Sequence, residues 1–148
     1  MLYIASDHAG LKLKKYLTRY LEKQLAIPFE DMGPVEYDKD DDFPDYAAPL
    51  AKKVAEDKKN KGILICGSGH GVCITANKIK DIRAIQGYSI EGAEMGRKHN
   101  NANILCLAGR ILTQEHAVAI MKKFLETDFE NEDRLKRRDR KIAKLENE

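Results

Sequence analysis

The chain alternates short, continuous apolar runs with longer stretches in which apolar residues recur every three or four positions. Leu2-Tyr3-Ile4-Ala5, Gly62-Ile63-Leu64-Ile65-Cys66 and Asn103-Ile104-Leu105-Cys106-Leu107-Ala108 are the runs. Their length and continuity suit strands buried on both faces, as in a parallel sheet. After the first run, Leu11, Leu13, Tyr16, Leu17, Tyr20, Leu21 and Leu25 keep helical spacing with lysines in the gaps, which predicts an amphipathic helix. A weak strand is expected over 28–32, closed by Gly33-Pro34. Tyr46, Ala47, Leu50, Ala51, Val54 and Ala55 predict a second helix over 45–58. After the central run a helix is expected to finish over 75–80, followed by a strand over 83–87. Ser89 and Thr113 are the N-cap candidates of two further helices, over 89–98 and from 113 to about 126. The charged tail from Glu132 onward reads as helical.

Strand and helix alternate with roughly one βα unit per 30 residues, so the expected fold is α/β: a Rossmann-like open parallel sheet of about five strands, helices on both faces, and a C-terminal helical tail over about 132–148. With 148 residues and no repeat, low-complexity segment or linker, one domain over 1–148 is expected. Ligands of such sheets bind beyond the carboxyl ends of the strands.

Charge adds a local asymmetry. Against 24 acidic residues stand 26 Lys and Arg, a net charge of +2, which gives no global pull towards nucleic acid or membrane. Yet the segment from Asp38 to Asp45 is acidic and that from Arg134 to Lys144 is strongly basic. No stretch is long and apolar enough to span a bilayer, and the opening residues lack a signal-peptide pattern. Three cysteines do not form a disulfide framework, so a reducing cytoplasm is the expected compartment.

The central apolar run breaks into Gly67-Ser68-Gly69-His70-Gly71. A strand, a glycine-rich turn and a helix in succession can aim backbone N–H groups at an anion. The same glycines can simply let a helix approach a strand, and spacing weighs the two roles evenly. The loop lacks the lysine of a P-loop and the spacing of a dinucleotide fingerprint. Cys66 ends the strand beside a helix start, a position that favours thiolate, although a strand cysteine is more often inert core. Cys73 and Cys106, inside apolar runs, read as core. Cys66, His70 and Cys73 lack the paired spacing of a zinc site, so no metal is expected. Asp7, His8 and Arg110 follow strands and fall at the same edge as Cys66; Asp7 and His8 can equally serve as a helix cap. His99-Asn100 precedes its strand. It therefore belongs to the opposite edge of its own sheet or reaches a neighbour's site, which hints at a site shared between subunits. His99-Asn100-Asn101 also reads as a plain turn. His116 reads as partly exposed helix surface. Arg134 and Arg138, four apart, share one helix face and suit bidentate phosphate binding or simple solvation. Nucleic-acid binding by that tail lacks interleaved aromatics.

Taken together these residues resemble the type B ribose-5-phosphate isomerases, the family that also includes the galactose-6-phosphate isomerase subunits. The matching pieces are Ser6-Asp7-His8-Ala9-Gly10, Phe43-Pro44-Asp45-Tyr46-Ala47, the segment 62–78 (GILICGSGHGVCITANK), Asp81-Ile82-Arg83-Ala84, His99-Asn100-Asn101-Ala102-Asn103-Ile104-Leu105 and Gly109-Arg110. They follow family order over nearly the whole chain. The resemblance implies interconversion of D-ribose 5-phosphate and D-ribulose 5-phosphate through an enediolate, in the non-oxidative pentose phosphate pathway, with no cofactor and no metal. It implies Cys66 as the base, since Val72 stands where some members carry a glutamate. Gly67, Ser68, Gly69, His70 and Gly71 would form the oxyanion cradle and sugar contacts, and His99 would act in ring opening. Asp7, His8, Asn100 and Arg110 match ligand-contacting positions. Arg134 and Arg138 match a phosphate-binding pair, but Asn131-Glu132-Asp133-Arg134-Leu135 departs from the family's usual pattern, and Arg137 is an alternative. A homodimer or homotetramer with a shared site is implied. A six-carbon substrate such as allose or galactose 6-phosphate is the nearest alternative. A non-catalytic sugar-phosphate module is disfavoured, because binding alone needs neither Cys66 nor His99.

Overall fold

The computed structural model describes residues 1–148. Five strands, β1 (Leu2–Ser6), β2 (Phe29–Asp31), β3 (Lys61–Cys66), β4 (Ala84–Gln86) and β5 (Ile104–Ala108), form one sheet in the order β2-β1-β3-β5-β4. Every pairing is parallel. The central register sets Ile4 beside Ile63, Gly62 beside Ile104, and Cys66 beside Ala108.

Side chains alternate across this sheet, as the pleat requires. Ile4, Ile63, Ile65, Leu105 and Leu107 face α1 (Leu11–Tyr20), α4 (Ile90–Asn100) and α5 (Gln114–Glu126). Tyr3, Ala5, Leu64, Cys66, Ile104 and Cys106 face α2 (Pro44–Ala55) and α3 (His70–Ala76). Both faces are covered, which is why the central strands read as unbroken apolar runs. Each such aliphatic side chain gains about 1.5–3 kcal/mol by leaving water. The last helix, α6 (Asp133–Leu145), lies outside these layers and buries only Leu135. It is tied back by an ion pair between Arg83 and Asp139 and by Glu146, which accepts from the Asp81 N–H. No helix is long and apolar enough to cross a membrane.

Several boundaries differ from expectation. α1 ends at Tyr20, and Leu21–Leu25 continue as a wider turn closed by Ala26 at φ 50°. α2 stops at Ala55 rather than 58. α3 stops at Ala76 rather than 80 because Asn77 intervenes. Its side-chain oxygen accepts from the Ala84 N–H (2.8 Å), and its amide donates to the Ala84 carbonyl (2.9 Å). This ties the end of α3 to the start of β4. The two proposed N-caps hold: the Ser89 hydroxyl accepts from the Gly92 N–H and that of Thr113 from the His116 N–H.

Two contacts fix how the first βα unit sits. Lys14 is 1 % exposed, and its ammonium donates to Asp31 (2.6 Å) and to the Pro34 carbonyl (2.7 Å). Gly10 packs onto β3, where an added Cβ would lie 2.5 Å from the Ile65 carbonyl oxygen. That neighbour is backbone inside the central strand and cannot give way. Gly10→Ala is therefore expected to cost about 1–3 kcal/mol of stability, read as a lower urea midpoint with an unchanged slope. An unchanged midpoint would contradict this packing.

Candidate active site

The carboxyl edge of the sheet collects the turns after β1, β3 and β5. The Gly109 N–H donates to the Cys66 carbonyl (2.8 Å) and the Arg110 N–H to the Gly67 carbonyl (3.0 Å), so the turn after β5 is locked onto the turn after β3. The Arg110 side chain lies over Gly67, where a Cβ would come within 3.3 Å of the arginine Cδ. Gly109 sits against the Ala9 carbonyl, with 2.8 Å left for any Cβ. Small residues at these places let the three turns meet.

Within the turn after β3, Gly69 takes φ +82°, a conformation that favours glycine. The N–H groups of Gly67, Ser68, Gly69 and Gly71 donate to no acceptor in the protein, while the His70 N–H reaches the Ser68 hydroxyl (3.3 Å). A row of uncommitted donors thus follows directly on Cys66. A helix start leaves its first N–H groups without intrahelical partners, and here the preceding glycine turn extends that row, so it is open to water or to an oxyanion.

Cys66 is buried but keeps 5 % exposure, and Cys106, deeper in β5, keeps none. Burial, followed by the hydrogen bond to Cys73, pushes the Cys106 thiol well up. Cys73, whose thiol the same hydrogen bond holds lower, is also buried, so both are core side chains as their apolar surroundings predict. Cys66 alone sits at the last position of its strand.

Asp7 is buried, and its carboxylate accepts from the Gly10 N–H (3.1 Å), a capping contact. His8 is held by a residue that gave no signal in the sequence. The His8 Nδ1–H donates to Asp41 Oδ1 (2.6 Å), and the same oxygen accepts from the His8 backbone N–H (3.1 Å). Tyr37 stands edge-on to the imidazole with centroids 5.7 Å apart. Phe43 covers Gly71, where a Cβ would fall 2.7 Å from the ring. The connection between β2 and α2 thus folds back over the edge as a wall of the site. Asp41 and Phe43 both come from it, and in sequence its aspartates read only as an acidic segment. The Tyr46 phenol lies above its ordinary range through burial and then the Asp41 and Asp38 carboxylates. His70 turns towards β4: its Nδ1 meets the Gln86 amide (2.8 Å), and its Nε2 lies 3.4 Å from the Tyr88 hydroxyl.

Asp7, His8 and Asp41 place three ligand-type atoms within 4.8 Å of one another. The short Nδ1–H···O contact commits the imidazole and one carboxylate to each other, and Asp7 is committed to Gly10. The trio is a hydrogen-bonded cluster rather than a preformed cation cage.

The remaining predicted residues lie elsewhere. His99 and Asn100 close α4 at the amino edge, and Arg134, Arg137 and Arg138 are exposed on α6. Arg134 pairs with Glu132, and His99 Nε2 lies 4.0 Å from Glu130. From Ile104 to Ala108, which neighbours Cys66, β5 covers roughly 13 Å, so one chain does not bring its own His99 to its own Cys66. A cleft of about 510 Å³ lies at the amino edge and is lined by Lys61, Arg83, Arg97, Asp81, Asp139 and Arg140 among others. Its charges are largely spent internally: Arg83 pairs with Asp139, and Arg97 donates to the carbonyls of Thr127 and Ala102. Burial holds both Lys61 and Arg97 below their ordinary range. None of the three cysteines and none of the glycine-turn residues 67–71 lines this cleft.

Residues 2–144 match the family model described as Ribose/Galactose Isomerase. The chain belongs to the ribose/galactose isomerase family. It is 44 % identical over 149 aligned positions to the probable ribose-5-phosphate isomerase B of Mycoplasma genitalium, covering 99 % of this chain and 96 % of that one. It is 37 % identical to the ribose-5-phosphate isomerase B of Mycolicibacterium paratuberculosis over 93 % of this chain and 86 % of the relative. The fold matches the crystal structure of the Mycoplasma genitalium enzyme with bound ribulose 5-phosphate at a TM-score of 0.94, 42 % identity, and coverage of 99 % and 96 %. The Thermotoga maritima enzyme matches at a TM-score of 0.91 with 40 % identity and 97 % coverage of both chains.

The thiol environments of this family member make a direct prediction. Ellman's reagent at pH 8 should label at most two of the three cysteines in the folded protein and all three in urea, because Cys106 is sealed and held protonated. Labelling of Cys106 without unfolding would contradict that burial.

Proposed function

We propose that this chain is the aldose–ketose isomerase that interconverts D-ribose 5-phosphate and D-ribulose 5-phosphate, with Cys66 as the proton carrier. The observation that carries the assignment is the junction of Cys66 with the uncommitted N–H groups of Gly67, Ser68, Gly69 and Gly71, in a chain whose relative at 42 % identity holds ribulose 5-phosphate. The reaction moves one proton between the second and first carbons. It needs a base beside those carbons and donors for the oxygen that becomes anionic. The Cys66 thiolate takes the proton from the second carbon of the open-chain aldose. The negative charge that develops on the neighbouring oxygens is met by the turn's N–H groups. The thiol then returns the proton to the first carbon, while the hydroxyl proton passes from the oxygen of the second carbon to that of the first, so that the aldehyde becomes a hydroxymethyl group and the second carbon a ketone. Electrons stay within the sugar, so the step calls for no redox cofactor. In the wider metabolism this reaction belongs to the non-oxidative pentose phosphate pathway. Unpaired thiols and a free sugar phosphate suit a reducing cytoplasm.

The chain works as a homodimer or homotetramer, each site built from two copies. His99 and Asn100 from one copy complete the edge of Cys66 in the other, where His99 assists ring opening. Arg134 and Arg138, or Arg137 in place of one of them, bind the phosphate. Charge supports this arrangement. The carboxyl edge carries Asp7 and the acidic loop around Asp41, with Arg110 and His8 as its basic groups, and a phosphate dianion there needs further cations. The opposite edge displays Arg134, Arg137 and Arg138 on an exposed face.

Cys66→Ala should abolish turnover of ribose 5-phosphate while retaining most of its affinity; undiminished turnover would remove Cys66 from the mechanism. A six-carbon substrate is tested on the same footing, by turnover of allose and galactose 6-phosphates at equal concentration. The shared site has its own test. Cys66→Ala and His99→Asn should each be inactive alone. Co-refolded as a mixture, they should regain roughly a quarter of wild-type activity, since half the dimers are mixed and each mixed dimer has one intact site. No recovery would place Cys66 and His99 in sites of one chain.

A further inference from the structure

We propose that Asp41 is a positioning residue for the isomerisation, acting through the His8 imidazole. This rests on the reading of the carboxyl edge as the sugar-phosphate site. Asp41 comes from the long connection after β2, 33 positions away from His8 in sequence, yet one of its oxygens accepts both from the His8 ring Nδ1–H (2.6 Å) and from the His8 backbone N–H (3.1 Å). Its side chain is 5 % exposed, and its second oxygen, Oδ2, is buried without a hydrogen-bond partner. A carboxylate buried in that state is costly, and the structure keeps it against His8 rather than out in solvent with its acidic neighbours.

The chemical consequence lies at the other ring nitrogen. A carboxylate accepts only, so Asp41 places the proton on Nδ1 and fixes the ring plane. His8 Nε2 makes no hydrogen bond within the protein and is not sealed from solvent. It is left as the free nitrogen of the ring, in one tautomer and one orientation, at the same carboxyl edge of the sheet as Cys66 and Arg110. Tyr37 closes the ring's flank edge-on. A histidine on a turn has two free torsions and two neutral tautomers, and Asp41 removes that freedom before substrate arrives. The pre-set Nε2 can then serve a sugar hydroxyl or phosphate oxygen without reorganisation.

The test is a double-mutant cycle on ribose 5-phosphate turnover, with ring tautomers read by long-range 15N–1H correlation. Wild-type His8 should carry its proton on Nδ1. Asp41→Asn, which keeps the shape and removes the charge, should shift His8 towards the Nε2–H form and lower kcat/KM by about tenfold or more. It should leave the thermal midpoint nearly in place. Asp41→Ala should behave alike, and in a His8→Ala background either Asp41 change should have almost no further effect on kcat/KM. A loss of equal size with and without the imidazole would overturn the proposal, since Asp41 would then act on the loop or the His8 backbone. An unchanged tautomer with wild-type turnover in Asp41→Asn would overturn it as well. If His8→Ala alone leaves kcat/KM unchanged, the placement of His8 in the substrate site fails first, and the role of Asp41 falls with it.

Discussion

The site depends on two backbone hydrogen bonds that join neighbouring strand ends. β3 and β5 run in register to their last residues, and the pairing continues beyond the sheet as Gly109 N–H to the Cys66 carbonyl and Arg110 N–H to the Gly67 carbonyl. These bonds hold the Cys66 and Gly67 carbonyls in place. The N–H groups of Gly67, Ser68, Gly69 and Gly71 have no acceptor within the protein. The apolar layers do the rest: Ile63 and Ile65 under α1 and α5, and Leu64 and Cys66 under α2 and α3, pin β3 on both faces. For Cys66 as the proposed proton carrier, this anchoring supplies the geometric tolerance that proton transfer demands.

The same architecture divides the remaining chemistry between two ends of the molecule. Parallel strands place Asp7, His8, Cys66 and Arg110 at one edge, and α4 returns the chain to the other edge before β5 begins, carrying His99 and Asn100 with it. α6 adds its arginines on that side. Each edge is electrostatically incomplete for a phosphorylated sugar. The acidic loop that fastens His8 makes the carboxyl edge a poor host for a dianion by itself, while Arg137 and Arg138 of α6 are exposed and Arg134 pairs with Glu132. Association of two copies would relieve both imbalances, which gives the shared site a physical reason beyond resemblance.

Much of this was legible in the residues. The apolar runs located β1, β3 and β5, and Ser89 and Thr113 marked helix starts, because strand continuity and N-cap chemistry are local properties. The placing of His99 away from Cys66 followed from topology alone. Family resemblance supplied the roles of individual residues, which spacing could not. α3 ends earlier than its sequence suggests because the Asn77 side chain bonds Ala84 of β4 in both directions, a tertiary contact without a local sign. Asp41 was invisible for a similar reason. Among five aspartates between Asp38 and Asp45, only the fold shows which one reaches His8. His70 stood out by residue type, but its ring is engaged with Gln86 and Tyr88.

The most direct measurement is a crystal structure of the protein bound to ribulose 5-phosphate or to a non-reactive enediolate analogue. The account predicts Cys66 Sγ roughly 3–3.5 Å from the first and second carbons. It also predicts the adjacent sugar oxygen on the N–H groups of the turn at 67–71. A sugar phosphate seated at the amino-edge cleft, or one whose reacting carbons lie beyond reach of that sulfur, would contradict it.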